Sequence, residues 1–338
     1  MKELLKELCL TDSISGDENA VRNVIEEKIK DVCEYRVDNL GNLICFKKGR
    51  KTGKKLMISA HMDEVGFIVT SIRPDGTLSF GAVGGIDPAV VIGKQVRIGE
   101  KKLNGVVGST AVHNLSGEQR EKAVKMNSLY IDIGAENKED AEKYVNLGDC
   151  VYFSSEFEEF GERCIKSKAI DDRAGCAMMI KLLHEELEYD TYFVFNVQEE
   201  IGLRGSTVSA FAVAPDFAIV LEATTAGDID GTDEMKRVCS LGKGGVVGFM
   251  DRSTMYDKEL YRLAFRISEE TGIPCQTKTM IAGGNDSGAI HISGKGVRTI
   301  AVSVPCRYLH SPSSVIRTDD LENSYRLVKE LTKRIPAL

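Results

Sequence analysis

The spacing of apolar residues changes from helical to strand-like within the first 60 positions. The segment SGDENAVRNVIEEKIKD carries an apolar stripe from Val21 to Ile29 at the spacing of a helix face, and it predicts a helix after a shorter N-terminal one. The run YRVDNLGNLICFKKG predicts a hairpin, and the compact apolar run 56–60 predicts a buried strand. We interpret the basic run 47–55 as a solvated turn between strands.

From about residue 71 to about residue 164 the pattern is that of short strands. Segments such as TLSF, VVIGKQVRI and SLYIDIG alternate with glycine- and charge-bearing turns, and EDAEKYVNLG has helical spacing. This texture is typical of a small antiparallel barrel or sandwich. Helices then alternate again with buried strands such as TYFVFNVQ and DFAIVLEAT. We therefore predict an α/β domain formed by residues 1–69 and 164–338, with an all-β domain inserted at 70–163.

Composition and charge narrow the classes of protein. The formal charge of -7 offers no basic surface for a nucleic acid or an anionic membrane, so we expect neither partner. No apolar run approaches the roughly 20 residues that span a bilayer, and the charged N-terminus does not have the pattern of a signal peptide. The nine cysteines include no CxxC pair, which favours reduced thiols and a cytoplasmic location.

Ionisable residues follow several of the predicted buried strands. At or beyond the ends of LMISA, YFVFNVQ, FAIVL and TIAVSVP lie His61 and Asp63, Glu199 and Glu200, Glu222, and His310. A further acidic pair, Asp171 and Asp172, opens a predicted helix. Ligand sites of open α/β sheets lie outside the carboxyl ends of the strands, and histidines with carboxylates suit first-row metals, especially zinc or cobalt. The pattern predicts a metal site at this edge of the sheet.

Each of these residues also has an ordinary structural interpretation. A histidine after a strand is commonly structural, and an Asp-Asp pair before a helix is by default an N-cap. The Glu199–Glu200 pair is harder to explain by solvent exposure, because it follows apolar or small residues and precedes IGLRG. If each of these residues were only structural, several coincidences would be required at one edge of one sheet. We therefore prefer the interpretation that they form one metal site together.

Six motifs, HMDEVGF, AIDDRAG, QEEIGLRGS, VLEATTAGD, GGNDSGAI and RYLHSP, occur in this order. In this respect the chain resembles the M42 family of metallo-aminopeptidases, the glutamyl aminopeptidase and tetrahedral (TET) peptidase group, over essentially its whole length. The resemblance implies a zinc-peptidase (phosphorylase/hydrolase-like) fold, with a mixed-sheet catalytic domain and an inserted PDZ-like or barrel domain that serves dimerisation. It also implies removal of N-terminal residues from peptides, two divalent metal ions per subunit, and dimers that assemble into dodecamers.

The resemblance further implies a division of roles among the strand-end residues. Asp171 bridges two metals, while one shell is completed by His61 and Glu222 and the other by Glu200 and His310. Glu199 is the general base, and Asp63 orients His61. Two points stay open: whether Asp171 or Asp172 is the bridge, with Asp171 preferred, and whether Glu222, where family members often have Asp, binds through one oxygen or two. Zinc, cobalt and manganese all suit such ligands.

Two further segments are candidates for binding substrate. In GGNDSG, Gly284 allows close approach of a substrate backbone and Asp286 is a candidate partner for its N-terminus, although a tight turn that needs its glycines explains the motif equally well. His113 lies in a loop that resembles one carrying a histidine in family members. It is either an exposed surface residue or part of a neighbouring subunit's site.

Three other functions compete with the aminopeptidase. A glycosidase also uses two carboxylates, but neighbouring side chains such as Glu199 and Glu200 diverge, and the chain has no tryptophan to stack on a sugar. A metal-stabilised scaffold would not need Glu199 or Asp63. A carboxypeptidase or deacylase on the same fold is the nearest alternative, and the preferred N-terminal side chain is not predicted.

Overall fold

The computed structural model describes residues 1–338, apart from the side chain of Gln119. Its helices are α1 Lys2–Leu10, α2 Asn19–Ile29, α3 Gly117–Arg120, α4 Lys138–Ala141, α5 Ile170–Leu183, α6 Arg204–Val213, α7 Lys258–Thr271, α8 Ser287–Ile290 and α9 Thr318–Arg334. Its strands before α5 are β1 Glu34–Val37, β2 Leu43–Lys47, β3 Lys51–His61, β4 Gly66–Ile72, β5 Leu78–Val83, β6 Gln95–Ile98, β7 Leu103–Gly108, β8 Tyr130–Asp132, β9 Cys150–Phe153, β10 Glu158–Phe160 and β11 Cys164–Ser167. The remaining strands are β12 Tyr189–Asn196, β13 Phe217–Thr225, β14 Gly245–Val247, β15 Cys275–Thr277, β16 Arg298–Cys306 and β17 Ser314–Arg317.

A mixed eight-stranded sheet, in the order β1-β2-β12-β3-β13-β16-β14-β15, forms the centre of the α/β domain. The strands β12, β3, β13 and β16 are mutually parallel, so their carboxyl ends meet at one edge. Strands β10, β11 and β17 form a separate three-stranded antiparallel sheet. The predicted mixed α/β fold is confirmed.

Helices cover both faces of the large sheet, which explains the near-continuous apolar runs of its central strands. Along β3, Leu56, Ile58 and Ala60 face a core that also contains buried residues of α1, α2, α5, α7 and α9. Met57, between them, faces the other core, with α6 and α8. Successive side chains of a strand point to opposite faces, so both sets of apolar residues are buried.

The inserted domain is a closed six-stranded barrel in the order β4-β5-β8-β7-β6-β9. Alternate residues of its strands fill the interior, and Phe67 forms the centre of this core, with its ring centroid 4.7 Å from that of Phe80 and 5.3 Å from that of Phe153. The barrel strands run from Gly66 to Phe153, so the barrel begins and ends earlier than the expected limits of 70–163. The reason at the second limit is that β10 pairs with β11 outside the barrel.

The structure differs from the prediction in the basic run 47–55. Residues from Lys51 onward belong to β3, because Lys51 lies opposite Tyr189 of β12 and its backbone N–H donates to Glu188. The side chains of 51–55 are exposed, as expected for a solvated segment. Backbone pairing with β12, which leaves no trace in the apolar pattern, lengthens the strand.

Candidate metal centre

Asp171 lies between the two histidines that the sequence singled out. Its Oδ1 is 3.4 Å from Nε2 of His61, and its Oδ2 is 3.4 Å from Nε2 of His310. Glu222 Oε2 lies 3.7 Å from His61 Nε2, and Glu200 Oε1 lies 3.4 Å from His310 Nε2. Three groups have potential ligand atoms within 4.8 Å of one another: His61–Glu199–Glu200, and the two triads His61–Asp171–Glu222 and Asp171–Glu200–His310. Asp171 is the member that these two triads share.

The parallel strands of the sheet bring these residues together. His61 is the last residue of β3, opposite Asn196 at the end of β12. Glu222 lies inside β13 rather than at its end, since that strand continues to Thr225 alongside β16. His310 follows β16 in a loop, with a positive φ of 56°. The site therefore lies at the carboxyl edge of the sheet, the expected place.

The Glu199–Glu200 pair lies on a turn rather than on an extended strand. Strand β12 ends at Asn196, and Gln198 has a left-handed φ of 55°. The carboxylate of Asp63 accepts the backbone N–H of Glu199 at 3.0 Å and that of Glu200 at 3.1 Å, so it fixes the turn. The explanation of diverging side chains by strand alternation is therefore wrong. The turn itself directs Glu200 towards His310 and places Glu199 Oε2 4.0 Å from His61 Nε2.

Hydrogen bonds at Nδ1 orient both imidazoles. His61 Nδ1 lies 3.1 Å from the backbone oxygen of Asp63 and 3.4 Å from its Oδ1, so Asp63 contacts this ring mainly through its main chain. His310 Nδ1 lies 2.8 Å from the backbone oxygen of Gly85. When each Nδ1 donates to its partner, each Nε2 is left with a free lone pair that faces the carboxylates, the tautomer that a metal ligand needs.

Asp172 has a different environment from Asp171. It is fully buried, and its Oδ1 accepts the backbone N–H of Gly175 at 2.9 Å in the first turn of α5. Neither triad includes it. Asp171 and Asp172 have non-helical backbone angles at the start of α5, and the carboxylate of Asp171 faces the histidines. This geometry favours Asp171 as the shared ligand and Asp172 as the helix cap.

The site carries more buried negative charge than the protein itself neutralises. Burial raises the pKa of Glu199 and Glu222 well above the usual range, and burial also raises the pKa of Glu200, to about 7. Burial by itself lowers the pKa of His310, but the hydrogen bond with Asp171 and the charge of Glu200 raise it to about 9. Among the described residues, no Lys or Arg forms an ion pair with these carboxylates.

Divalent cations fit this arrangement. Asp171 Oδ1 and Glu222 Oε1 are buried without a hydrogen-bond partner among the described residues. Buried carboxylates in this state are costly unless a cation or a donor compensates them. A set of imidazole nitrogens and carboxylate oxygens is suitable for zinc, cobalt or manganese.

A cavity of about 610 Å³ is lined by the candidate ligands Asp171, Glu200, Glu222 and His310, and its wall also includes Gly284. Asp286, in contrast, is fully buried behind the wall and accepts a hydrogen bond from Asn196 Nδ2 at 2.8 Å. The sequence motif suggested that Asp286 contacts a substrate N-terminus, but its side chain does not face the cavity. The motif does not reveal which of its residues faces the cavity and which is buried. His113 is exposed on the inserted domain, in the short 3-10 helix Val112–Asn114, and does not line this cavity.

Sequence reasoning missed several residues that build the site. The loop after β5 contributes Gly84 and Gly85, and a Cβ at Gly84 would lie 2.7 Å from Val65 and 3.3 Å from Glu200. Ser15 Oγ donates to Asp63 Oδ2 at 2.6 Å. The successive glycines were a readable signal of close backbone approach, whereas nothing local identifies Ser15.

Comparison with known proteins identifies the family. The model of the M42 glutamyl aminopeptidase family matches residues 41–327. The chain belongs to this family. A putative aminopeptidase of Acetivibrio thermocellus is 40% identical over 98% of both chains. A lysyl aminopeptidase of Pyrococcus furiosus is 33% identical, over 98% of this chain and 97% of its own.

Solved structures of TET peptidases support the same assignment. The TET aminopeptidase of Thaumarchaeota archaeon SCGC AB-539-E09 has a TM-score of 0.95 at 34% identity, covering 99% of this chain and 96% of its own. The TET1 peptidase of Pyrococcus horikoshii, described as assembling into a tetrahedron or a large octahedral shell, has a TM-score of 0.86 at 34% identity, covering 98% and 99%. A Thermotoga maritima structure described as an endoglucanase has a TM-score of 0.81 at 38% identity, covering 98% and 97%.

This M42 family member is therefore a metal-dependent aminopeptidase, as the sequence motifs predicted. Among the described residues, no helix has both the length and the apolar character that a membrane span requires.

Proposed function

We propose that this M42 aminopeptidase binds two divalent metal ions, one held by His61, Asp171 and Glu222 and the other by Asp171, Glu200 and His310. The observation that carries the proposal is the placement of the two Asp171 oxygens, each 3.4 Å from the Nε2 atom of a different histidine. A carboxylate in this position can bridge two cations. Zinc or cobalt is the proposed metal, and manganese suits the same ligands.

When bound, such a pair of cations polarises a scissile carbonyl and supplies hydroxide at neutral pH. Glu199 lies outside the two triads that share Asp171, although it forms a third group with His61 and Glu200. Its Oε2 lies 4.0 Å from His61 Nε2, and it lines the cavity. We assign it as the general base that takes the proton of the attacking water and returns it to the leaving amine. In the metal-free protein, burial raises the pKa of Glu199 well above the usual range of a carboxyl group.

Asp63 acts through the residues around it. Its carboxylate accepts two backbone N–H groups, from Glu199 and Glu200, and its main-chain oxygen contacts His61. Ser15 in turn donates to this carboxylate. Asp63 thus holds the general base and two proposed ligands in one arrangement, and its role is positioning.

The substrate is proposed to be a peptide whose N-terminal residue enters the 610 Å³ cavity. The wall next to the proposed centre includes Gly284, which has no side chain to obstruct a substrate backbone. Relatives carry different names: the family model is described as glutamyl aminopeptidase and one relative as lysyl aminopeptidase. Membership of the family therefore does not set the preferred side chain.

We also propose that the barrel domain mediates dimerisation and that the dimers assemble into a dodecamer in the cytoplasm. The assembly described for the Pyrococcus horikoshii TET1 peptidase supports a closed shell, and nine free cysteines are consistent with a reducing compartment. His113, on the exposed surface of the barrel domain, is then a candidate to reach a neighbouring subunit's cavity.

A panel of aminoacyl nitroanilides, assayed with added zinc, cobalt or manganese, tests the function. The proposal predicts hydrolysis of free-amine substrates that a chelator abolishes, and no hydrolysis of the N-acetylated analogue. Cleavage of the N-acetylated analogue, or of a C-terminal residue instead, would favour the deacylase or carboxypeptidase alternative. Chelator-resistant cleavage of a β-glucan would support the glycosidase alternative.

A further inference from the structure

Three side chains from distant parts of the chain hold the turn that carries Glu199. The backbone N–H groups of residues 197–200 each donate to a side-chain oxygen. Their acceptors are Asn42 for Val197 at 3.0 Å, Glu18 for Gln198 at 3.0 Å, and Asp63 for Glu199 at 3.0 Å and for Glu200 at 3.1 Å. Glu18 is not among the described residues that line the cavity or form the candidate ligand groups. Any effect of Glu18 on the chemistry must therefore act through the turn.

Glu18 is the N-cap residue of α2, but its side chain does not cap that helix. A side-chain oxygen at this position usually accepts an N–H group of the first helical turn. Glu18 Oε1 instead accepts the N–H of Gly16 at 2.8 Å and that of Gln198 at 3.0 Å. The residue is only 5% exposed, and within the described part of the chain it forms no ion pair with a Lys or Arg. Because a buried carboxyl group without partners is costly, these two N–H groups are the contacts that hold it in place.

Gln198 is the residue at which the chain turns away from β12, and it has a left-handed φ of 55°. Residues other than glycine adopt this conformation only where surrounding contacts enforce it. The peptide plane before Gln198 is held by Glu18 at its N–H and by the N–H of Gly205 at its oxygen, while Asp63 holds the next plane through the N–H of Glu199. Loss of the Glu18 oxygen leaves one N–H without its acceptor, and the first plane then rotates to find another.

The loop that carries Glu18 is attached to both domains. Ile14 forms a parallel bridge with Glu64 in the connection from β3 to β4, and Arg97 of the barrel strand β6 donates to Asp12 Oδ1 at 2.7 Å. Asp12 and Ile14 are both buried. The position of Glu18 is thus supported independently of the turn, so Glu18 is a fixed acceptor against which the turn is oriented.

We propose that Glu18 is a positioning residue for the general base: by holding the N–H of Gln198, it sets the direction of the Glu199 side chain. This inference rests on the proposed function, because it concerns proton transfer by Glu199. A general base must lie within hydrogen-bond reach of the water that it deprotonates, and a displacement of about 1 Å can lower the rate by about 100-fold. The contribution of Glu18 is an acceptor oxygen, and its charge is not needed.

Two substitutions of nearly equal size separate the acceptor from the charge. Glu18→Gln keeps an oxygen that accepts from Gln198, whereas Glu18→Met has no comparable acceptor. In the full-length, metal-loaded enzyme acting on an aminoacyl nitroanilide, Glu18→Met should lower kcat by about 10- to 100-fold, with KM and metal content near wild type. Glu18→Gln should keep a kcat close to wild type. Wild-type kcat in Glu18→Met, or equal losses in both variants, overturns the proposal.

A double-mutant cycle tests whether the effect depends on Glu199. If Glu18 acts through this base, adding Glu18→Met to Glu199→Gln should lower the residual kcat no further. A multiplicative loss in the double variant would place the effect outside the base and contradict the proposal. Wild-type kcat in Glu18→Met combined with an inactive Glu199→Gln refutes this inference alone. Near-wild-type turnover of Glu199→Gln refutes the assigned base, and with it the positioning of that base.

Asp257→Ala controls for a general loss of stability. The Asp257 carboxylate also accepts two backbone N–H groups, those of Glu259 and Leu260 at the start of α7, and it is not among the described residues of the cavity wall. Both Glu18→Met and Asp257→Ala should lower the midpoint of thermal unfolding, but only Glu18→Met should lower kcat at a temperature where both are folded. An equal loss of kcat in the control would assign the effect to destabilisation and contradict the proposal. If Glu18→Met does not fold, Glu18→Asp, whose carboxylate is one methylene shorter, takes its place with the same expected loss.

Discussion

The Nδ1 atom of His310 lies 2.8 Å from the backbone oxygen of Gly85, a residue 225 positions earlier in the chain. Gly85 follows β5 of the barrel, whereas His310 belongs to the α/β domain. The barrel connection therefore orients a proposed metal ligand and forms part of the cavity wall. The inserted domain contributes to the site itself, in addition to any role in assembly.

The neighbouring glycines in this loop allow a matched pair of substitutions. Gly84 has a φ of +84°, and a Cβ there would lie 2.7 Å from Val65 and 3.3 Å from Glu200, whereas a Cβ at Gly85 would make an ordinary 3.6 Å contact with His310. Gly84→Ala should destabilise the protein by roughly 1–3 kcal/mol and weaken metal binding by displacing Glu200. Denaturant unfolding and metal titration check this, with Gly85→Ala as the control. Equal effects of the two substitutions would contradict the steric explanation.

Removal of single ligands should separate the two metal positions. His61→Ala and His310→Ala should each lower the metal content by about one ion per subunit, because each histidine faces one side of Asp171. Asp171→Asn should lower the content at both positions. Elemental analysis after dialysis measures these values. Loss of both ions from each histidine variant, or retention of both in Asp171→Asn, would be inconsistent with a bridging Asp171.

Asp63→Asn tests the support of the Glu199–Glu200 turn. In the wild type, the Asp63 carboxylate accepts the backbone N–H groups of both Glu199 and Glu200. The carboxamide introduced by the substitution would place its own N–H group against one of these two donors. We expect activity or metal affinity to fall by about 10- to 100-fold, as for other residues that orient ligands. Ser15→Ala, which removes one donor to the carboxylate, should have a smaller effect in the same direction. A wild-type kcat and metal affinity in Asp63→Asn would refute the positioning role.

Metal affinity should depend steeply on pH. Burial by itself lowers the pKa of His310, but Asp171 and Glu200 raise it to about 9, so the metal-free protein carries a protonated His310 at neutral pH. A metal must displace this proton, so its loss should raise the affinity by up to about tenfold per unit above pH 7, and this rise should level off near pH 9. Calorimetric zinc titration in buffers of different ionisation enthalpy measures the proton release. His310→Gln should have a shallower dependence, and a pH-independent wild-type affinity would contradict this coupling.

The sequence predicted the α/β domain, the inserted β domain and the convergence of His61, Glu222 and His310. The reason is that His61 ends a buried parallel strand, His310 follows another, and Glu222 lies near the carboxyl end of a third, and these ends of one sheet lie together. It could not predict the turn at Glu199, because that turn depends on acceptance of two N–H groups by Asp63. Local patterns report which face of an element is buried, but not which distant backbone groups meet there.

The same limit explains the errors in other segments. Asp286 looked suited to bind a substrate because its motif is rich in glycine, yet its side chain points to Asn196. Lys278 has no conspicuous motif around it, yet it lines the cavity, and its backbone N–H donates to the oxygen of Val247. In both cases tertiary contacts decide whether a residue faces the cavity.

The two-metal aminopeptidase is tested most directly by the turnover of Glu199→Gln at a measured metal content. Glu199 lines the cavity but lies outside both ligand triads that share Asp171, so the amide should remove proton transfer and leave the metals in place. The expected result is wild-type metal content, two ions per subunit, with hydrolysis of an aminoacyl nitroanilide reduced by at least about 100-fold. Near-wild-type turnover, or a loss of bound metal that parallels the loss of activity, would contradict the assignment of Glu199 as the base.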